Sequence, residues 1–154
     1  MQLDSQTQST AKSTLYGTDL SAWAMHNASL LRAGKFSDLD VEHLIEELDD
    51  VGKSEFRAFE SHLQNLMMHL LEWQLQPLMR SGSWRETIDN ARHNTTQLLR
   101  DNPSFKPRLQ QTIIDEYPYA RRAASYDTGL QIDTFPLTCP YTAEELLDEH
   151  WLLQ

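Results

Sequence analysis

The chain is short of the residues that cross-link and punctuate a fold. Cys139 is the only cysteine in 154 residues. An intrachain disulfide is therefore impossible, which fits a reducing, cytoplasmic setting. Five glycines supply no phosphate-cradling loop, and neither a Gly-x-Ser-x-Gly elbow nor a zinc-spaced Cys/His set occurs. Alternating runs of Val, Ile and Thr are missing, which argues against strands. No apolar run is long enough to cross a bilayer: "LMMHLLEW" is interrupted by His69 and Glu72. The opening "MQLDSQTQSTAKST" lacks the basic-then-apolar order of a signal peptide. Its polarity predicts a disordered or weakly tethered tail over residues 1–15, followed by a single helical domain over residues 16–154.

Basic residues are also in deficit. Thirteen Lys and Arg face 23 Asp and Glu, a formal charge of −10. Such a surface repels phosphate, so neither nucleic acid nor an anionic membrane is expected as a partner. The deficit is uneven. Residues 1–60 carry 11 acids and 5 bases, residues 61–110 carry 4 and 6, and residues 111–154 carry 8 and 2. The mildly basic middle predicts charge complementarity between helices, or else a local docking face. A role beside nucleic acid would rest on that middle alone.

What the chain does have is apolar residues recurring every three to four positions, the signature of amphipathic helices. A first helix is expected over Asp19–Ala33, capped by Thr18, ended by Gly34 and striped by Leu20, Trp23, Leu30 and Leu31. A second starts at Asp40 as N-cap, with Leu39 and Leu44 spaced as a hydrophobic staple. Its stripe runs from Val41 through Leu44, Ile45, Leu48, Val51, Phe56, Phe59, Leu63, Leu66 and Met67 to Leu70. The phase survives Gly52, so one long helix to about Gln76 is expected, with Gly52 on the inward face. The alternative is a break at Gly52 and a restart at Ser54. Pro77 ends the element.

A capping box, Ser83 to Glu86, predicts the start of a third helix that carries Trp84, Ile88, Ala91, Thr95, Leu98 and Leu99 and stops at Asn102-Pro103. Ser104 is placed to cap a fourth, striped by Phe105, Leu109, Ile113, Tyr117, Ala120 and Ala124, kinked at Pro118 and ended by Gly129. The segment "QIDTFPLTCPY" is expected to be extended. A second capping box, Thr142 to Glu145, with Tyr141 and Leu146 as staple, predicts a short last helix ending near Trp151. The sum is an all-α helical bundle of four main helices plus a short C-terminal helix.

The stretches "SAWAMHNASLLRAGKFSDLDVEHLIEELDDVGKSE", "HLLEWQLQP", "SWRETI", "TGL" and "FPLTCPYTAEELLD" resemble a bacterial family called domain of unknown function 29, frequent in cyanobacteria and proteobacteria. The resemblance covers roughly Tyr16 to His150. Positions that match its motifs include Trp23, Glu46, Glu47 and Gly52 in the first stretch. His69, Trp73, Gln74 and Pro77 match in the second, and Trp84, Cys139 and Pro140 match further on. The resemblance implies a small helical bacterial protein. It brings no activity, substrate or catalytic residue.

Few constellations could carry chemistry. Glu55, His62 and His69 lie near the inward face of the long helix, seven residues or about 10.5 Å apart. One metal cannot reach two of them, because metal–nitrogen bonds are about 2 Å long. Asp40 with His43, and Asp89 with His93, each share a helix face. No Glu-x-x-His or His-Glu-x-x-His motif is present. No metal and no cofactor are expected; the candidate ligands, were a metal to bind, are His62, His69, Asp89 and His93.

His69 reads as a buried histidine donating to a backbone carbonyl or to a glutamate of a neighbouring helix, and His62 as a wet residue at the stripe edge. Glu46 and Glu47 point about 100° apart and cannot share one site; one is expected in water and the other paired with Arg85 or Arg92. Cys139 reads as a small buried hydrophobe. Trp23, Trp73, Trp84 and Trp151 read as core anchors.

These features favour a small cytoplasmic helical binding or assembly module over an enzyme. It would act through contacts with another protein or with itself, at the apolar "WLLQ" end or at Leu75, Leu78 and Met79 around Pro77. The alternative is a metal-dependent helical-bundle enzyme with His and carboxylate ligands.

Overall fold

Helices form where the apolar spacing places them, and their ends are set by single residues. The computed structural model describes residues 15–152. The N-terminal tail before Leu15 and the last two residues of "WLLQ" lie outside the described residues. Two compact units divide the chain, the first ending at Gly52 and the second beginning at Lys53.

In the first unit, residues 15–18 make one helical turn. Helix α1 (Leu20–Arg32) follows. Its cap is Asp19 rather than the expected Thr18: the Asp19 carboxylate accepts from the Ala22 amide at 2.9 Å. The Thr18 hydroxyl is already spent on the Leu15 carbonyl in the preceding turn. Gly34, at φ 68°, turns the chain out of α1, a left-handed geometry that costs glycine nothing.

Helix α2 (Val41–Leu75) is a single element of 35 residues. Gly52 does not break it, as the unbroken phase predicts. The expectation that Gly52 faces inward fails, however. It is exposed, and a Cβ there would meet no atom within 4 Å.

The stripe on α2 has two fates. In the second unit Phe59, Leu63, Leu66, Met67 and Leu70 are fully buried. In the first unit Val41, Ile45, Leu48 and Val51 are 54%, 56%, 71% and 62% exposed. Amphipathic spacing fixes which face is apolar; it says nothing of whether another element covers that face. The same correction applies to α1, where Trp23 is buried but Leu20 and Leu31 remain about half exposed.

In the second unit, the α2 stripe packs with Ile88, Ala91 and Leu99 of α3 (Gly82–Asp101) and with Ile113, Tyr117, Ala120 and Ala124 of α4 (Leu109–Thr128). Leu146 of the short α5 (Ala143–Leu147) completes this core. Each fully buried Leu, Ile or Phe contributes about 1.5–3 kcal/mol relative to exposure, so these faces hold the unit together. Helix α4 continues past Pro118 without ending, as its unbroken phase predicts.

Helix α3 starts two residues earlier than its sequence suggests. Ser81, not Ser83, is the N-cap, its hydroxyl accepting from the Trp84 amide at 3.3 Å. Ser104 caps nothing: the chain from Pro103 to Arg108 is a 3-10 turn, and α4 begins without a side-chain cap. The Thr142–Glu145 capping box is present in full, but α5 ends at Leu147, short of Trp151.

The connection after α4 is pinned by side chains. Tyr117 donates to the Pro136 carbonyl at 2.7 Å, and Arg121 donates to the carbonyls of Ile132 and Phe135. The segment is therefore not extended throughout; Ile132–Thr134 forms a 3-10 turn between extended backbone at Gln131 and at Phe135. Tyr141 donates to the Gln74 side chain at 3.0 Å, joining the last loop to the end of α2. Among the described residues there is no strand, and no helix is long and apolar enough to cross a membrane.

Candidate docking surface

The first unit is built around a polar and aromatic knot. Trp23 is buried, and its indole Nε1 donates to Asp40 Oδ2 at 2.9 Å. His43 Nδ1 lies 2.8 Å from the same oxygen. Asn27, 2% exposed, donates to the Trp23 carbonyl and accepts from the Asp40 backbone amide. The Tyr16 ring stacks on His43 with centroids 4.0 Å apart and meets Trp23 edge-on at 5.0 Å. Its hydroxyl donates to Glu47 Oε1 at 2.8 Å. The knot ties α1 to the first two turns of α2, so the start of α2 is held as helix from its side.

Each partner is electrically tuned. Burial pushes the Asp40 carboxyl up, but hydrogen bonds from Trp23 and His43 outweigh it and hold the group below its ordinary value. The bond to Asp40 lifts His43 above its ordinary value against a smaller pull from burial, with Glu46 and Glu42 adding to the lift. The hydrogen bond to Glu47, with burial second, pushes Tyr16 up to about 12. Asp40 and His43 thus form an ion pair whose acceptor also serves an indole.

With one side of α2 occupied by the knot, its apolar stripe faces outward. Val41, Ile45, Leu48 and Val51 fall within about 120° of one another at about 100° per residue. Between Val41 and Val51 lie five carboxylates and no lysine or arginine. Glu42, Glu46 and Asp49 border one edge of the stripe, and Glu47 borders the other. The surface is an apolar ridge in an acidic frame.

The other expected site residues do not converge. His69 is half-buried rather than buried, and it pairs with Glu72 of its own helix at 2.8 Å, not with a neighbouring helix. It is Glu72, 2% exposed, that is buried, with its Oε1 unpartnered. His62 is half-buried and Glu55 is exposed. Asp89 and His93 share the expected face of α3 and line a cleft there. Among the described residues no three of His, Cys, Asp and Glu come together as a metal site needs.

Glu46 is exposed, and Glu47 pairs with Tyr16 rather than with a basic residue of the middle third. Arg85 instead sits 4.0 Å from Asp89, and Arg92 donates to the Leu146 carbonyl. Cys139 is partly buried against the core, its thiol 3.8 Å from the Met67 sulfur, and burial pushes its pKa up. Burial there works against the thiolate, the reactive form of cysteine.

Of the tryptophans, Trp23 is buried, Trp73 and Trp151 pack on the core from partly buried positions, and Trp84 is half-buried. The apolar end is not free either, since Trp151 and Leu152 pack against the core. Leu78, 98% exposed, and Met79, 61% exposed, do stand out around Pro77, while Leu75 packs against the core. Tyr16 and Asn27 gave no signal in the sequence, because their partners are fixed only once α1 turns back at Gly34.

The fold and this surface define an all-α helical protein that carries an exposed apolar ridge in an acidic frame. The family model described as domain of unknown function DUF29 matches residues 15–152, and the chain belongs to that family. No curated protein and no solved structure matches it.

Proposed function

We propose that this protein is a small cytoplasmic binding module that docks a basic amphipathic segment of another protein on the outward stripe of α2. One observation carries the reading: the stripe that forms the core of the second unit continues in register through the first, and there it is more than half exposed inside a frame of carboxylates. An exposed apolar ridge of this regularity is costly in water unless a partner covers it. A helix that lays apolar residues on Ile45 and Leu48, with Lys or Arg on its flanks, satisfies both the ridge and the frame.

A second copy of the chain is the poorer occupant, since it would set one acidic frame against another. Residues 1–14 carry one acid, one base and few apolar side chains, so they match neither feature. The loop around Leu78 and Met79 is too short to offer a comparable face.

The test uses the full chain and two labelled helical peptides with the same apolar stripe, one flanked by lysines and one by glutamates. Fluorescence anisotropy is expected to show binding of the lysine peptide alone, lost in Ile45→Asp and Leu48→Asp and weakened by added salt. Equal binding of both peptides, or none of either, overturns the reading. Dimerisation that Leu48→Asp abolishes assigns the surface to a second copy. Peptide binding that appears only after removal of residues 1–14 assigns it to that segment.

A further inference from the structure

The second unit holds a buried cation whose hydrogen bonds are incomplete. Arg92 on α3 is 1% exposed. Its Nε donates to the Leu146 carbonyl at 2.9 Å, and its Nη2 is buried with no partner. A guanidinium keeps its charge at any physiological pH, and buried charges are normally paired and hydrogen-bonded. Asp89, Asp148 and Glu149 attract it through space, yet none supplies the missing hydrogen bond.

Arg92 forms part of the wall of a cleft of about 380 Å³. The rest of that wall is Asp89, Asn90 and His93 from α3, with Glu149 and His150 from the turn after α5. Asp148 fixes this turn by accepting from the His150 amide at 2.9 Å. Asp89 has only a long contact to Arg85, 4.0 Å between two half-exposed side chains, so its carboxylate can serve a ligand.

The wall thus carries two opposite demands. The unpartnered Nη2 of the guanidinium calls for an anionic acceptor. The carboxylates of Asp89 and Glu149 call for a cation. A simple anion meets those two carboxylates and a simple cation meets Arg92. A molecule bearing both charges a few atoms apart meets neither penalty, and the cleft is of the size that small ligands fill.

We propose that this cleft binds a small zwitterion of the class of a free α-amino acid, its carboxylate on Arg92 and its ammonium between Asp89 and Glu149. His93 and His150 supply further hydrogen-bonding groups at the rim. This site is independent of the docking surface on α2 and stands whether or not that surface binds a partner.

The experiment titrates the untagged full chain by calorimetry with the proteinogenic amino acids. For each that binds, it also tests the matching carboxylic acid without the amine and the matching amine without the carboxylate. At least one amino acid is expected to bind with a Kd of about 1 mM or tighter, and roughly tenfold more tightly than either half-molecule. Asp89→Asn and Glu149→Gln change exposed residues and keep the helical circular dichroism; each is expected to weaken binding roughly tenfold. Arg92→Gln is expected to abolish it. Because that variant alters a buried residue, the two surface variants carry the decision. No binding by any amino acid overturns the proposal. So does a deaminated acid that binds as tightly as its parent, or binding that both surface variants leave unchanged.

Discussion

Trp23 and Asp40 hold each other across the turn between α1 and α2: the indole donates to the carboxylate at 2.9 Å, and both residues are nearly out of water. The same carboxylate serves His43, and its backbone amide is satisfied by Asn27. One side chain thus closes the N-terminal hairpin. Removing it strands a buried indole N–H and frees the histidine. Asp40→Ala is expected to cost about 2–3 kcal/mol, the penalty for orphaning buried partners of a charged group. Amide hydrogen exchange over Leu20–Arg32 is the measurement, and unchanged protection there would show that the knot is not what holds α1.

The same pair makes the hairpin pH-dependent. His43 is raised above its ordinary 6.5 and Asp40 is lowered below its ordinary 3.8. A raised histidine adds stability in full below pH 6.5 and loses it as pH climbs through the raised value. A lowered carboxylate adds stability above pH 3.8 and loses it as pH falls through the depressed value. The contribution of the pair is therefore greatest between pH 3.8 and 6.5. Titration of the His43 ring by NMR is expected to give a midpoint above 6.5 that drops in Asp40→Asn. A midpoint at or below 6.5 in the parent protein contradicts the ion pair.

Backbone punctuation was legible in the sequence and coverage was not. Gly34, Gly129, Pro77 and the Thr142–Glu145 box end or begin elements because they act through local geometry. Cap identity slipped where two candidates stood close together, Thr18 against Asp19 and Ser83 against Ser81, since only the true helix start decides which oxygen meets a free amide. The candidate surfaces were harder to read. The apolar stripe of α2 is uniform in sequence, so nothing in it distinguishes buried Phe59 from exposed Leu48. Asp89 and His93 were visible as an i, i+4 pair. The buried Arg92 between them was not, because an arginine reads as surface until its packing is known.

Gly52 offers a gain in stability. It lies inside α2, is exposed, and leaves open space where a Cβ would go. Gly52→Ala removes backbone freedom from the unfolded chain at no steric cost, and is expected to stabilise by about 0.8–1 kcal/mol. Gly129 is the contrasting control. Its φ of 71° strains any L side chain, so Gly129→Ala is expected to destabilise by about 1 kcal/mol. Urea unfolding of the two variants checks both signs, and a loss in Gly52→Ala would mean that the helix needs flexibility at that point.

Glu72 is buried at 2% exposure with one carboxylate oxygen on His69 and the other on nothing. A buried acid held by a single partner is a poor contributor to stability in itself, yet breaking the pair leaves it worse off. His69→Ala is therefore expected to destabilise by about 2 kcal/mol, less than for a fully buried pair because the histidine is partly exposed. Glu72→Met, which keeps the volume and removes the charge, is expected to be neutral or stabilising. In that background His69→Ala loses its reason to cost anything and drops to about 0.5 kcal/mol or less. The resulting coupling of about 1.5 kcal/mol is measured by a double-mutant cycle in urea. Strict additivity of the two substitutions would show that His69 acts through its packing on α2 and not through the carboxylate it binds.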